Sequence, residues 1–262
     1  MVFFQSIDIY CERQSVIFWS EPINALTNFF FIFIGFLLFI KTFQDKLCKL
    51  LSLELILIGF CSFLFHTFAN IATAILDTFS IILFGFTYLF GANVRFLNFS
   101  YLLSSIGVII FIPLSFIVTF SIQFFIGHIN GSAFYFSYIF LFLIYSIVLI
   151  KNNSYVSKNL FLCFVLLFIS VILRSIDQNL CSKISVGTHF LWHILNSIVL
   201  GISIITKTAI ATTGGNGMLR IGTITSAAPK PKNPSKNPPM LIPTRHSVKL
   251  QNSRPNVSTN TP

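Results

Sequence analysis

Residues 55–77, LILIGFCSFLFHTFANIATAILD, hold two apolar runs joined by a very short connection near Asn70, with Ser62, His66 and Asp77 set inside or at the edge of them. Each run is about as long as the ~20 residues a helix needs to cross roughly 30 Å of hydrocarbon. Ser62 and His66 stand at i and i+4, so a helix carries them on one face, a turn apart. A second pentapeptide with the same spacing, His189-Phe-Leu-Trp-His193, opens the last apolar run. Ionisable side chains in lipid-embedded segments are costly, and a functional site is the first reading of them.

The composition agrees. The chain of 262 residues is 55% hydrophobic and 9% charged and contains 33 Phe, whereas about 25% of a soluble domain is charged. Strand-like alternation is absent, which argues against a membrane barrel. The fold expected is an all-α integral membrane protein, a multi-pass seven-transmembrane helix bundle. The formal charge of +10 invites a nucleic-acid reading. Its distribution excludes that reading, because eight of the seventeen Lys and Arg lie in residues 207–262 and most of the rest flank apolar runs. The start, Met1-Val-Phe-Phe-Gln5, has no basic region and no small-residue cleavage site, so the first span is expected to act as its own insertion signal.

Three segments follow: a polar lead-in over 1–23, a membrane domain over 24–206, and a basic, disordered tail over 207–262. The spans are expected at about 24–43, 51–68, 72–90, 102–120, 134–150, 160–173 and 186–205, with a kink or break at Pro113. Glu54 falls at the entrance of the second, leaving Asp77 as the acid well inside a span. Loops one, three and five carry Lys41, Lys46, Lys49, Arg95, Lys151 and Lys158; the lead-in and the even loops carry Arg13, Arg174 and Lys183. That bias puts the N-terminus outside and the C-terminus in the cytoplasm. It also brings His66, Asp77, His189 and His193 to the outer half of the bilayer. The tail, rich in Gly, Ser, Thr, Pro and Lys, is too poor in apolar residues to offset the entropy of ordering.

Three neutral imidazoles suit zinc, whose catalytic sites take three protein ligands and leave a fourth position for water, with a pKa lowered to about 7. His66, His189 and His193 supply the three. Asp77 is the candidate for taking and returning the proton, and Ser62 can donate to a developing oxyanion. Taken singly, a membrane histidine or Ser62 also reads as a residue that hydrogen-bonds or packs against a neighbouring helix.

CSFLFH closing the second span, LDTFS in the third and HFLWHILN in the seventh together resemble the alkaline ceramidase family, within a wider superfamily of seven-helix membrane hydrolases. YCER followed by FWSEPINALTNF looks like that family's entry into the first span. The resemblance implies zinc on His66, His189 and His193, proton handling by Asp77, assistance from Ser62, and hydrolysis of the amide bond of ceramide, a membrane lipid substrate. It also implies a calcium site for which Glu12, Glu21 and Asn24 are the candidates. Glu12 and Glu21 read equally as solvated or helix-capping residues. Of five cysteines, Cys61 and Cys163 lie in spans and Cys48 faces the reducing side. Cys11 and Cys181 are expected to pair on the outer side, as the resemblance also suggests. Two rival readings stand beside the hydrolase: a receptor-like seven-helix protein with a structural zinc, and a transporter or scaffold without metal.

Overall fold

The computed structural model describes residues 2–42 and 44–211, with side chains described to residue 207. Seven helices are long and apolar enough to cross a membrane: Pro22–Lys41, Lys46–Phe68, Ile71–Phe96, Tyr101–Ile126, Ser132–Leu149, Ser154–Ser175 and His189–Lys207. The chain is an integral, multi-pass membrane protein built as a seven-helix bundle.

Polar side chains punctuate the apolar runs and set their ends. Asp45 accepts the backbone N–H groups of Leu47 and Cys48 at the start of the second span. Asn70 and Thr73 form a reciprocal capping box at the start of the third, and Ser100 and Asn153 cap the fourth and sixth. These contacts satisfy N–H groups that a helix start leaves without partners. Between the second and third spans Ala69 adopts the left-handed conformation, φ 40°, and its N–H bonds Phe65 O at 2.8 Å. The turn is so tight that His66 and Asp77 emerge at the same end of the bundle.

Among the described residues the seventh span packs on the first, second, third and sixth, and the fourth packs chiefly against its chain neighbours. Accordingly 56% of an 18-residue apolar stretch of the seventh span is buried inside the protein, against 17% of the equivalent stretch of the fourth. The lead-in lies across the end that carries His66. Ile7 N–H bonds Ala69 O at 2.7 Å, Asn130 Nδ2 reaches Ile9 O at 3.4 Å, and Cys11 is disulfide-bonded to Cys181.

Several expectations change in detail. Capping by Asp45 starts the second span at Lys46, a turn before the hydrophobic run declares itself, so Glu54 is not at an entrance. It is buried two turns inside, and its Oε1 accepts a hydrogen bond from Thr87. The first span changes helix at Asn28, between Pro22–Thr27 and Phe29–Lys41. The fourth runs through Pro113 without a break. The last helix continues to Ala211, so Lys207 belongs to the bundle, where it is fully buried, rather than to a tail. The remainder of the expected tail, 212–262, lies outside the described residues.

Candidate metal centre

His66 closes the second span, and His189 and His193 occupy the first turns of the seventh. All three are buried, and one nitrogen from each lies within 4.8 Å of the others. The ring centroids are 4.6–5.1 Å apart. Among the described residues this is the group of His, Cys, Asp and Glu side chains close enough to share one ion.

The outer partners decide which nitrogens face inward. His66 Nδ1 lies 2.6 Å from Glu21 Oε2. A carboxylate can only accept, so Nδ1 carries the hydrogen and the lone pair is on Nε2. Thr27 Oγ1 spends its hydrogen on the Ile23 or Asn24 carbonyl, at 2.9 and 3.0 Å. It therefore accepts from His193 Nδ1 at 2.8 Å, and His193 Nε2 is left buried with no partner. His189 Nδ1 is likewise buried and unpartnered. Buried polar atoms are nearly always hydrogen-bonded. Two buried nitrogens without partners and a third lone pair, in a group of rings whose nitrogens come within 4.8 Å of one another, therefore fit a metal ion of the kind that takes imidazole ligands.

His189 owes its place to Asp177. That carboxylate accepts the N–H groups of Thr188 at 2.6 Å, His189 at 2.9 Å and Cys11 at 3.0 Å, tying the lead-in to the first turn of the seventh span. Gly187, at φ +69°, makes room for it, because a Cβ there would sit 2.1 Å from Asp177 Oδ1. The Tyr10 ring stacks on His189 at 3.7 Å, and Trp192 stacks at 5.3 Å. Arg174 binds Tyr10 Oη at 2.9 Å and lies 5.5–5.6 Å from the rings of Tyr10, Tyr135 and Trp192.

Ser62 is buried one turn before His66. Its Oγ faces the Asp77 carboxyl, whose Oδ1 is also buried. Asp77 is within electrostatic reach of His66 and Arg174 and stands beside Ser62. The expected set of His66, His189, His193, Asp77 and Ser62 thus gathers at one end of the bundle.

Glu12, Glu21 and Asn24, the calcium candidates, are joined by hydrogen bonds. Glu12 accepts the N–H groups of Ile23 and Asn24 at 2.7 and 2.8 Å and caps the first span. Glu21 accepts from His66, from Asn24 Nδ2 at 3.2 Å and from Arg13 Nε, while Arg13 Nη2 donates to His66 O at 3.0 Å. Burial pushes the Glu21 carboxyl up, yet the hydrogen bonds and charges of His66 and Arg13 outweigh it and hold the group below its usual range. Calcium takes six to eight oxygens. Here both carboxylates are engaged by protein donors and Glu21 also faces a guanidinium, whereas Asn24 Oδ1 is buried without a partner.

The roles of Tyr10, Arg13, Thr27, Asp177 and Trp192 are absent from the sequence reading. Some of their hydrogen-bond partners lie 166 residues away, and no local pattern announces such pairs.

A family model described as Ceramidase matches residues 6–216. No curated protein matches the chain.

Proposed function

The chain belongs to the ceramidase family, and on that premise we propose that it is a zinc-dependent membrane amidase that cleaves ceramide or a closely related lipid amide. The observation that carries this reading is that three buried histidines bring one ring nitrogen each within 4.8 Å of the others, and that His189 and His193 each have a buried nitrogen without a partner. His66, His189 and His193 hold the metal, their orientation set by Glu21, the Asp177 cap and Thr27. Zinc bound there supplies Lewis acidity and a nucleophilic water near neutral pH. Asp77 accepts the proton released as water attacks the amide carbonyl and delivers it to the departing amine nitrogen. Ser62 donates its hydroxyl hydrogen to the carbonyl oxygen as negative charge develops there. The C–N bond breaks, and water supplies the oxygen of the acid and the hydrogen of the amine.

A site within the bundle suits a two-chain lipid that stays in the bilayer. The bias of Lys and Arg among the loops and the Cys11–Cys181 disulfide at the same end as the histidines support an N-terminus outside, with the site in the outer half of the bilayer.

Mass spectrometry of ceramide incubated with purified protein, with and without chelator, tests the proposal. A sphingoid base and a fatty acid should form, vanish on chelation and return with zinc. Bound zinc without product would indicate a structural metal in a receptor-like protein, and product formation indifferent to chelator would reject the metal mechanism.

A further inference from the structure

Between Arg13 and Pro22 the lead-in puts out a loop, Ser15-Val-Ile-Phe-Trp-Ser20, that contains no charged residue. Hydroxyls close its neck: Ser20 Oγ lies 3.1 Å from Ser15 Oγ and accepts the N–H groups of Gln14 at 3.3 Å and Ser15 at 3.1 Å. Ser20 N–H donates in turn to Ile17 O at 3.1 Å. Arg13 pins the base to the bundle, with Nη1 on Ser15 O and Nη2 on His66 O, each at 3.0 Å. A loop tied in this way holds its apolar side chains out: Val16 is 80% exposed, Ile17 67%, Phe18 44% and Trp19 51%.

These side chains lie along the flank of the second span, not above its end. The Phe18 ring packs edge-on against Phe68, the last residue of that span, with centroids 5.0 Å apart, and the Trp19 ring packs edge-on against Phe63 at 6.3 Å. Phe63 and Phe68 are five residues apart, a helix rise of roughly 7.5 Å, so the loop descends about one and a half turns beside the helix. Phe29 of the first span, itself half exposed, meets the same Phe63 ring at 5.8 Å. The loop thus continues the apolar outer surface of the first two spans, the surface that faces hydrocarbon. Contiguous exposed apolar groups mark contact with a membrane or a partner, and continuity with a lipid-facing flank selects the membrane. Tryptophan favours the headgroup level of a bilayer.

We propose that residues 15–20 form a lipid-docking finger: Val16, Ile17, Phe18 and Trp19 enter the bilayer interface at the end of the bundle that carries the histidines, and anchor the lead-in there. The inference concerns a surface and stands apart from the amidase reading.

The chain has two tryptophans, Trp19 and Trp192, so the emission of native protein minus that of Trp19→Phe reports the loop. Full-length protein is placed in phosphatidylcholine nanodiscs, in discs whose lipid carries bromine on the upper acyl chain, and in plain discs with iodide added to the water. Bromolipid should remove roughly half of the Trp19 emission or more. Emission unmoved by bromolipid would overturn the proposal: iodide quenching would then place the loop in water, and protection from iodide would place it beneath another protein surface, such as a second copy of the chain. Phe18→Asp puts a charge in the finger and should weaken the bromolipid effect on Trp19 about twofold or more, whereas Phe18→Leu should keep it. Equal quenching in the two variants would contradict the assignment.

Discussion

Two polar clusters, one partly buried and one fully buried, sit at opposite ends of the second, third and seventh spans, and they differ in what their atoms have left over. At one end Asp45 takes both amino groups of Arg95 at 2.6 Å as well as two backbone N–H groups, and Lys207 donates to Tyr88 O. At the other, His189 and His193 each keep a buried nitrogen without a partner. The first cluster still leaves Glu54 Oε2 and Tyr88 Oη unpaired, yet it gathers no set of ligands around a point. Buried polarity alone therefore does not make a site. A surplus of coordinating lone pairs aimed at one position does, and the Asp45 cluster reads as a clasp that fastens helix ends.

The contrast can be broken experimentally. His66→Ala, His189→Ala and His193→Ala should each lower lipid turnover by roughly three orders of magnitude or more and strip the metal, since three protein ligands are the usual minimum for catalytic zinc. Steady-state hydrolysis alongside elemental analysis reads both effects. Asp77→Asn should lower turnover by about 10²–10⁴-fold with the metal retained, and near-native rates in that variant would remove it from proton transfer. Glu21→Gln, which weakens the carboxylate behind His66, should cost about 10–100-fold in metal affinity, measured by competition with a chelating dye.

At the other end the smallest effect is expected, on stability alone. Arg95→Ala should destabilise the bundle by about 1–3 kcal/mol, the usual cost of removing a partner from a charged hydrogen bond, with metal content and turnover per folded protein unchanged. Burial pushes the Asp45 carboxyl up, but hydrogen bonds from Arg95 and the Cys48 N–H hold it below the ordinary 3.8. A carboxyl depressed by folding adds stability above its unfolded value and loses it as pH falls through the lower folded value. The gap in melting temperature between native and Arg95→Ala protein should therefore shrink as pH drops below about 3.8. Loss of metal in Arg95→Ala would show that the two ends are coupled.

The seven spans and the gathering of histidines were legible because each signal is local: apolar runs, an i, i+4 pair, and an acid in a hydrophobic setting. Hydropathy puts Glu54 at an entrance because it marks where a helix turns apolar, whereas the Asp45 cap starts the helix a turn earlier. It likewise leaves Lys207 outside the last span, whose helix runs on to Ala211. Residues that orient the ligands stayed hidden, since Glu21 meets His66 across 45 residues and Thr27 meets His193 across 166. Such pairs exist only once the bundle is assembled.

X-ray absorption at the zinc edge, on native protein purified without added metal, tests the central claim most directly. The account predicts one zinc per chain in a shell of nitrogen and oxygen at about 2.0–2.1 Å with the outer-shell signature of three imidazoles. A shell containing sulfur, fewer than three imidazoles, or a chain that carries no metal and yet hydrolyses lipid would contradict it.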